Sequence, residues 1–133
     1  MTTTTALGDA TLAELRSTVT GAVIVPGDQD YEAARRTWNY AIDRYPEVIV
    51  RCTGTADVVA AVRFARSEGL PIAVRGGKHS IAGFSTCDDG LVVDLTQMCA
   101  VNVDARAGRS RAQGGATWKQ FELCAAAVGT SVW

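Results

Sequence analysis

Three observations in the sequence predict an α+β domain. Residues 48–74 read as strand, helix and strand, and a glycine-rich loop carrying the chain's one histidine follows. Beyond that loop the apolar runs shorten to three or four residues before a final capped helix. At 133 residues the length suits one domain. Residues 1–21, opening on Met-Thr-Thr-Thr-Thr, are expected to be a loose lead-in, and 22–133 the domain itself.

Each element has its own signal. A weak helical pattern runs from Thr11 to Thr20. Asp30 is an expected N-cap for a helix that aligns Ala34, Trp38 and Ile42 on one face and stops at Pro46. Val48-Ile49-Val50 is a continuous apolar run, the pattern of a strand covered on both faces. Thr55 is placed as the cap of the next helix, with Asp57 in its first turn and Val58, Val62 and Ala65 facing inward. Gly69 ends it, and Arg63, Arg66 and Glu68 form its solvated face. Pro71 starts the strand Ile72 to Val74, which completes a βαβ unit with a parallel pair and a right-handed crossover. Leu91 to Leu95, Val101 to Val103 and Ser110 to Gln113 are short strands arranged as a meander. Thr117 with Gln120 forms a capping box, opening a helix through Phe121, Cys124, Ala125 and Val128 that Gly129 closes. Trp38, Trp118 and Phe121 sit at helical spacing and are expected in the core.

Composition excludes several classes of function. A net charge of -1 and a pI near 5.7 offer no basic stripe, so no nucleic acid partner is expected. No apolar run is long enough to cross a bilayer, and the start has neither a basic nor an apolar leader region. A cytoplasmic chain with no membrane partner is the expectation. Cys52, Cys87, Cys99 and Cys124 include no CxxC pair and match no zinc spacing, so they are read as small buried hydrophobes and no metal is expected.

The segment Ile72-Ala-Val-Arg-Gly-Gly-Lys-His-Ser80 is the chemical centre of the sequence. Its strand delivers Arg75, the amides of Gly76 and Gly77, and His79 to one small region. A Walker A loop is excluded, because Ile72 stands where the first glycine belongs and His79 follows Gly77-Lys78 where Ser or Thr is required. A GxGxxG fingerprint is excluded because these glycines are adjacent and lead into another loop. What remains is a nest of backbone N–H groups suited to an anion, with the charge of Arg75 beside it.

From Val74 to Leu95 the chain reads Val-Arg-Gly-Gly-Lys-His-Ser-Ile-Ala-Gly-Phe-Ser-Thr-Cys-Asp-Asp-Gly-Leu-Val-Val-Asp-Leu. This resembles the flavin-binding core of FAD-linked oxidases of the berberine bridge enzyme type, within the superfamily of vanillyl-alcohol oxidase and p-cresol methylhydroxylase. The resemblance extends to Pro26-Gly27-Asp28 and Trp38-Asn39 upstream and to Gln113-Gly114-Gly115-Ala116-Thr117-Trp118 downstream, over about residues 22 to 129. It implies the N-terminal part of a PCMH-type FAD-binding domain, with FAD as cofactor. It implies further that Arg75, Gly76, Gly77, Lys78, His79 and Ser80 form the loop around the FAD pyrophosphate. His79 would be the covalent attachment point to the 8α-methyl carbon of the isoalloxazine, where an imidazole nitrogen is a suitable nucleophile. Ser85, in Gly83-Phe84-Ser85, would be a further polar contact, and Gly114 and Gly115 would approach by backbone alone.

Two departures qualify the resemblance. Lys78 stands where the family pattern has a third glycine, so a positive φ there would be strained unless the lysine pairs with phosphate. Family members also run to several hundred residues and carry the substrate domain and catalytic base in a part that 133 residues do not include, so no catalytic residue is assigned. The resemblance implies oxidation of a small molecule, by hydride transfer to FAD and reoxidation by O2, only if further sequence completes the site. A truncated product or non-catalytic remnant, and a binding subunit completed by a partner chain, are the other readings.

Overall fold

The structure is a computed structural model and describes residues 7–130. The threonine run that opens the expected lead-in lies outside the described residues, but the rest of that stretch is not loose. Asp9–Thr18 forms helix α1, and its Leu12 and Leu15 are buried in the main core. Strand β1 (Ala22–Ile24) and a five-residue helix α2 (Tyr31–Arg35) follow.

The helix expected to run from Asp30 toward Pro46 ends at Arg35, because the next polar groups find partners outside a helical ladder. The Trp38 N–H donates to the Lys78 carbonyl at 3.1 Å, and the Ala41 N–H donates to Asn39 Oδ1 at 3.1 Å. Arg35 turns inward to Glu32, Asp43 and the Arg44 carbonyl, and stacks over Tyr45. Residues 36–47 therefore cross the molecule as an irregular strap.

Strand β2 (Val48–Arg51), helix α3 (Thr55–Ser67) and strand β3 (Ile72–Arg75) form where the sequence places them. Their pairing differs from a simple βαβ unit. Strand β4 (Leu91–Asp94) inserts between β2 and β3, parallel to both, and gives the order β1-β2-β4-β3 with β1 antiparallel at one edge. All four residues of β4 are buried, as a central parallel strand covered on both faces should be. The expected meander thus loses its first member to the main sheet. Its other two, β5 (Val101–Asp104) and β6 (Arg109–Ala112), pair as a separate antiparallel hairpin.

One face of the sheet, through Val48, Val50, Leu91 and Val93, packs on α1 and α3. The other, through Ile49, Val92 and Ala73, packs on Ile24, Tyr31 and Ala34. Inward contact of α3 comes from Ala61 and Ala65, whose small side chains let the helix lie close to the strands, and Gly69 at φ +66° ends the turn after it. Gly54, rather than Thr55, is the N-cap. Asp57 accepts from the N–H groups of Thr20, Gly21 and Thr53 and from the Thr53 hydroxyl, tying α3 to the start of β1.

Helix α4 (Trp118–Ala127) leans on the hairpin and carries the full Thr117/Gln120 capping box. Thr117→Ala is expected to lower stability by about 1 kcal/mol, measured by chemical denaturation, because it leaves the Gln120 N–H without its cap. Trp118 and Trp38 are not core residues: they are 73% and 64% exposed. Trp118 meets Phe121 edge to face at 5.8 Å on the surface of α4. Among the described residues no helix is long and apolar enough to cross a membrane.

Candidate functional site

Each of the three parallel strands ends its apolar run on a charge: Val-Ile-Val-Arg51, Ile-Ala-Val-Arg75 and Leu-Val-Val-Asp94. The register sets Arg51, Asp94 and Arg75 side by side at the carboxyl ends of β2, β4 and β3. Arg75 Nη2 donates to Asp94 Oδ2 at 2.6 Å with both side chains fully buried, and Arg51 Nε lies 3.8 Å from the same oxygen. Thr96 adds its hydroxyl at 2.6 Å and its N–H at 2.9 Å to Asp94 Oδ1. Burial alone would raise the Asp94 pKa, but the Thr96 donors and Arg75 outweigh it and hold the carboxyl below its ordinary value.

The charge of Arg75 therefore lies within the sheet and not beside the nest as a free cation. Its Nε and Nη1 are buried without a hydrogen-bond partner. The loop rises directly from this row. Among the described residues the backbone N–H groups of Gly76, Gly77, Lys78, His79 and Ser80 donate to no protein acceptor. Five successive uncommitted donors at the carboxyl ends of parallel strands are the backbone composition of an anion-binding nest.

A second glycine segment packs against the first. A Cβ on Gly76 would stand 2.4 Å from the Gly114 carbonyl oxygen, and one on Gly115 would stand 1.7 Å from the Leu95 carbonyl oxygen. Side chains at these positions would push the segments apart. The Gly115 N–H donates to Met98 and the Gln113 N–H to Ala100, which fixes residues 113–116 to the turn after β4. Gly114 thus meets the loop through its backbone, and Gly115 lies against the Leu95 and Met98 carbonyls.

His79 is exposed, and its ring folds back over Gly77, where a Cβ would come within 3.1 Å of His79 Cδ2. On its other side stands the Trp38 indole, with centroids 6.0 Å apart and planes tilted by 46°. Ser80 is partly exposed and its oxygen accepts from the Phe84 N–H at 3.1 Å. Ser85 is not brought to the surface with the others: it is buried and its hydroxyl has no partner. Lys78 takes a φ of +64°, which costs a side chain on the order of 1 kcal/mol. Burial, then Arg75 and Arg51, lower its pKa against the opposing pull of Asp94.

Sequence reasoning missed the Asp94–Thr96 support, Arg51 and Trp38. Arg51 and Asp94 were visible as a recurring charge after an apolar triplet, once β4 is known to lie between β2 and β3. Trp38 belongs to the motif match at Trp38-Asn39, but its place beside His79 depends on the strap.

The FAD binding domain family matches residues 46–133. The (R)-6-hydroxynicotine oxidase of Paenarthrobacter nicotinovorans is 37% identical over 97 residues, which are 73% of this chain and 21% of that protein. An FAD-linked oxidoreductase of Aspergillus fumigatus is 40% identical over 111 residues, covering 83% of this chain and 24% of its own. The crystal structure of 6-hydroxy-D-nicotine oxidase from Arthrobacter nicotinovorans superposes with a TM-score of 0.80 at 35% identity, over 84% of this chain and 24% of that one. A berberine-bridge-enzyme-like protein of Physcomitrella patens gives 0.67 at 30% identity, over 72% and 21%. The chain belongs to the FAD binding domain family of FAD-linked oxidoreductases. Its cofactor class is FAD, and it spans about a fifth to a quarter of the length of these relatives.

Proposed function

We propose that residues 75–80 hold the diphosphate of FAD, with His79 as the covalent attachment point, as part of an oxidoreductase that oxidises a small molecule. The supporting observation is the run of five uncommitted amides at Gly76 to Ser80, packed against Gly114 beside the buried Arg75–Asp94 pair and the partly exposed Arg51. FAD, when bound, accepts a hydride from substrate and is reoxidised by O2. The chain's own residues bind and orient: the amides and Lys78 take the phosphates, Arg75 and Asp94 hold the loop on its strand, and Trp38 limits the swing of the His79 imidazole. The proposed compartment is the cytoplasm, in keeping with four free thiols.

The test is a flavin assay. Protein purified with FAD is expected to be yellow and to stay yellow after acid precipitation, whereas His79→Ala is expected to release all of its flavin into the supernatant. Wild-type protein that takes up no FAD would overturn the reading.

A second reading is favoured by the surface around the loop. Asn39 Nδ2 donates to the Ile81 carbonyl and Ile42 packs on Gly83, so strap and loop run together and leave Trp38, Tyr40, Ile81 and Phe84 exposed. An apolar surface of this kind suits cover by further polypeptide. In that case FAD uptake requires co-expression with a chain that supplies the remaining part of the site.

A further inference from the structure

We infer that Arg44 is a positioning residue for His79. It ties the turn at Gly83 to Thr86 onto the strap, and through Ser80 that turn fixes where the imidazole stands. This rests on the reading of His79 as the attachment point and adds to it a residue outside the glycine loop.

Both residues that flank His79 are held from the strap. Before it, the Lys78 carbonyl accepts from the Trp38 N–H at 3.1 Å. After it, Ser80 takes two bonds from the turn that follows: its carbonyl accepts from the Gly83 N–H at 3.2 Å and its hydroxyl oxygen from the Phe84 N–H at 3.1 Å. Arg44 secures that turn, its Nη1 donating to the Gly83 carbonyl at 3.3 Å and to the Thr86 carbonyl at 3.1 Å. Gly83, at φ +78°, lies so close to the strap that a Cβ would stand 2.9 Å from Ile42 Cγ2. The Arg44 backbone is anchored in turn, because its carbonyl accepts from the buried Arg35 at 3.3 Å.

The Arg44 side chain is half-buried, and among the described residues its guanidinium pairs with no carboxylate. Its charge is spent on two carbonyls of one turn, where charge-assisted bonds hold more firmly than neutral ones. The imidazole itself is exposed, with only the Trp38 indole and Gly77 beside it. Its placement therefore comes from the backbone on either side, and Arg44 governs one of those sides.

Attachment is sensitive to that placement. One 8α C–H bond breaks and one bond from an imidazole nitrogen to that carbon forms; two protons leave, and the two electrons pass to the flavin and from it to O2. The rate depends on how often the nitrogen stands in reach, and a displacement of about 1 Å can cost about a hundredfold. Reversible binding draws on contacts along the whole cofactor and depends less on one ring.

His79 is the chain's one histidine, so its imidazole signals in a proton–carbon correlation spectrum are unambiguous. The full 133-residue chain without flavin is expected to show one set of these signals, with a nuclear Overhauser contact to the Trp38 indole that Trp38→Phe removes. Arg44→Met, which keeps the apolar stem and deletes the donors, is expected to lose that contact. With FAD added, it is expected to form acid-stable flavin at least about tenfold more slowly, while reversible binding, followed by flavin fluorescence, is unchanged. Arg44→Lys, able to reach one of the two carbonyls, is expected to restore the contact and part of the rate. Gly83→Ala, which displaces the turn with Arg44 intact, is expected to lose both.

A retained Trp38 contact or an unchanged attachment rate in folded Arg44→Met would overturn the inference. If circular dichroism shows Arg44→Met unfolded, the same result in Gly83→Ala overturns it. Wild-type chain that binds FAD without acid-stable linkage would overturn the attachment reading instead, and the spectra of the flavin-free chains would still decide whether Arg44 places the imidazole.

Discussion

Asp94→Ala is expected to lower the stability of the domain by about 3–5 kcal/mol, the usual consequence of leaving one member of a buried ion pair uncompensated. The reason is specific to the row at the strand ends. Arg75 is fully buried, two of its nitrogens already lack partners, and Asp94 supplies the one acceptor that its guanidinium has. Removing that carboxylate leaves a guanidinium that can neither reach water nor lose its proton. Thr96 loses its acceptor at the same time. Urea denaturation measures the loss. The double variant Arg75→Met, Asp94→Leu is expected to recover most of it, because an apolar pair of similar volume avoids the desolvation that the charges carry. A single variant losing less than about 1 kcal/mol, in the range of an exposed pair, would show that the row does not hold the sheet end.

The second large effect belongs to Asp57. Its carboxylate receives four hydrogen bonds, from the amides of Thr20, Gly21 and Thr53 and the Thr53 hydroxyl, at 2.8–3.0 Å. Burial on its own would raise the pKa, but these donors together lower it below the ordinary carboxylate value. The sign follows from the lowered folded-state value. The stabilisation is complete above the unfolded-state pKa of about 3.9 and is lost as pH falls toward and through the folded-state value. Asp57→Ala is expected to cost about 3 kcal/mol at neutral pH, since hydrogen bonds to a charged group contribute about 1.5–3 kcal/mol each and water replaces some of them. Thermal unfolding measured from about pH 7 down to about pH 3 should show the gap between variant and wild type narrowing in acid. A gap that stays constant would mean that the carboxylate is not the acceptor these donors require.

Much of the fold was legible because its signals are local. The apolar run at Val48 to Val50, the glycine after α3 and the Thr117/Gln120 box all act within a few residues of themselves, and each formed where it was read. What failed was non-local. Leu91 to Asp94 carries no mark that it belongs between two earlier strands, because sheet order depends on pairing across distant sequence. The helix expected through Trp38 and Ile42 had the right periodicity, yet Arg35, Trp38 and Asn39 found better partners in Asp43, Lys78 and Ala41. Trp38 and Trp118 were placed in the core by spacing alone, and spacing does not say whether a helix reaches that far or what faces it.

The candidate site divides in the same way. Arg75 to Ser80 could be read because glycine pairs and a histidine are conspicuous. The orientation of Arg75 into the sheet could not, because it depends on a carboxylate 19 positions along the chain that only the register brings alongside. Ser85 shows the converse: a motif match placed it among the contacts, while the turn that contains it keeps its hydroxyl inside.

The late arrival of β4 has a consequence for synthesis of the chain. Val48–Arg51 and Ile72–Arg75 leave the ribosome first, and neither pairs with the other in the finished sheet. Leu91 follows Arg75 by 16 positions, a delay of about one to three seconds at ordinary elongation rates. During that interval a nascent chain displays two apolar strands with open edges, the state in which chaperones engage and neighbouring chains stick. When Leu91–Asp94 enters, it pairs both strands and supplies Asp94 to Arg75 in one step. Anything that slows its insertion prolongs the vulnerable stage.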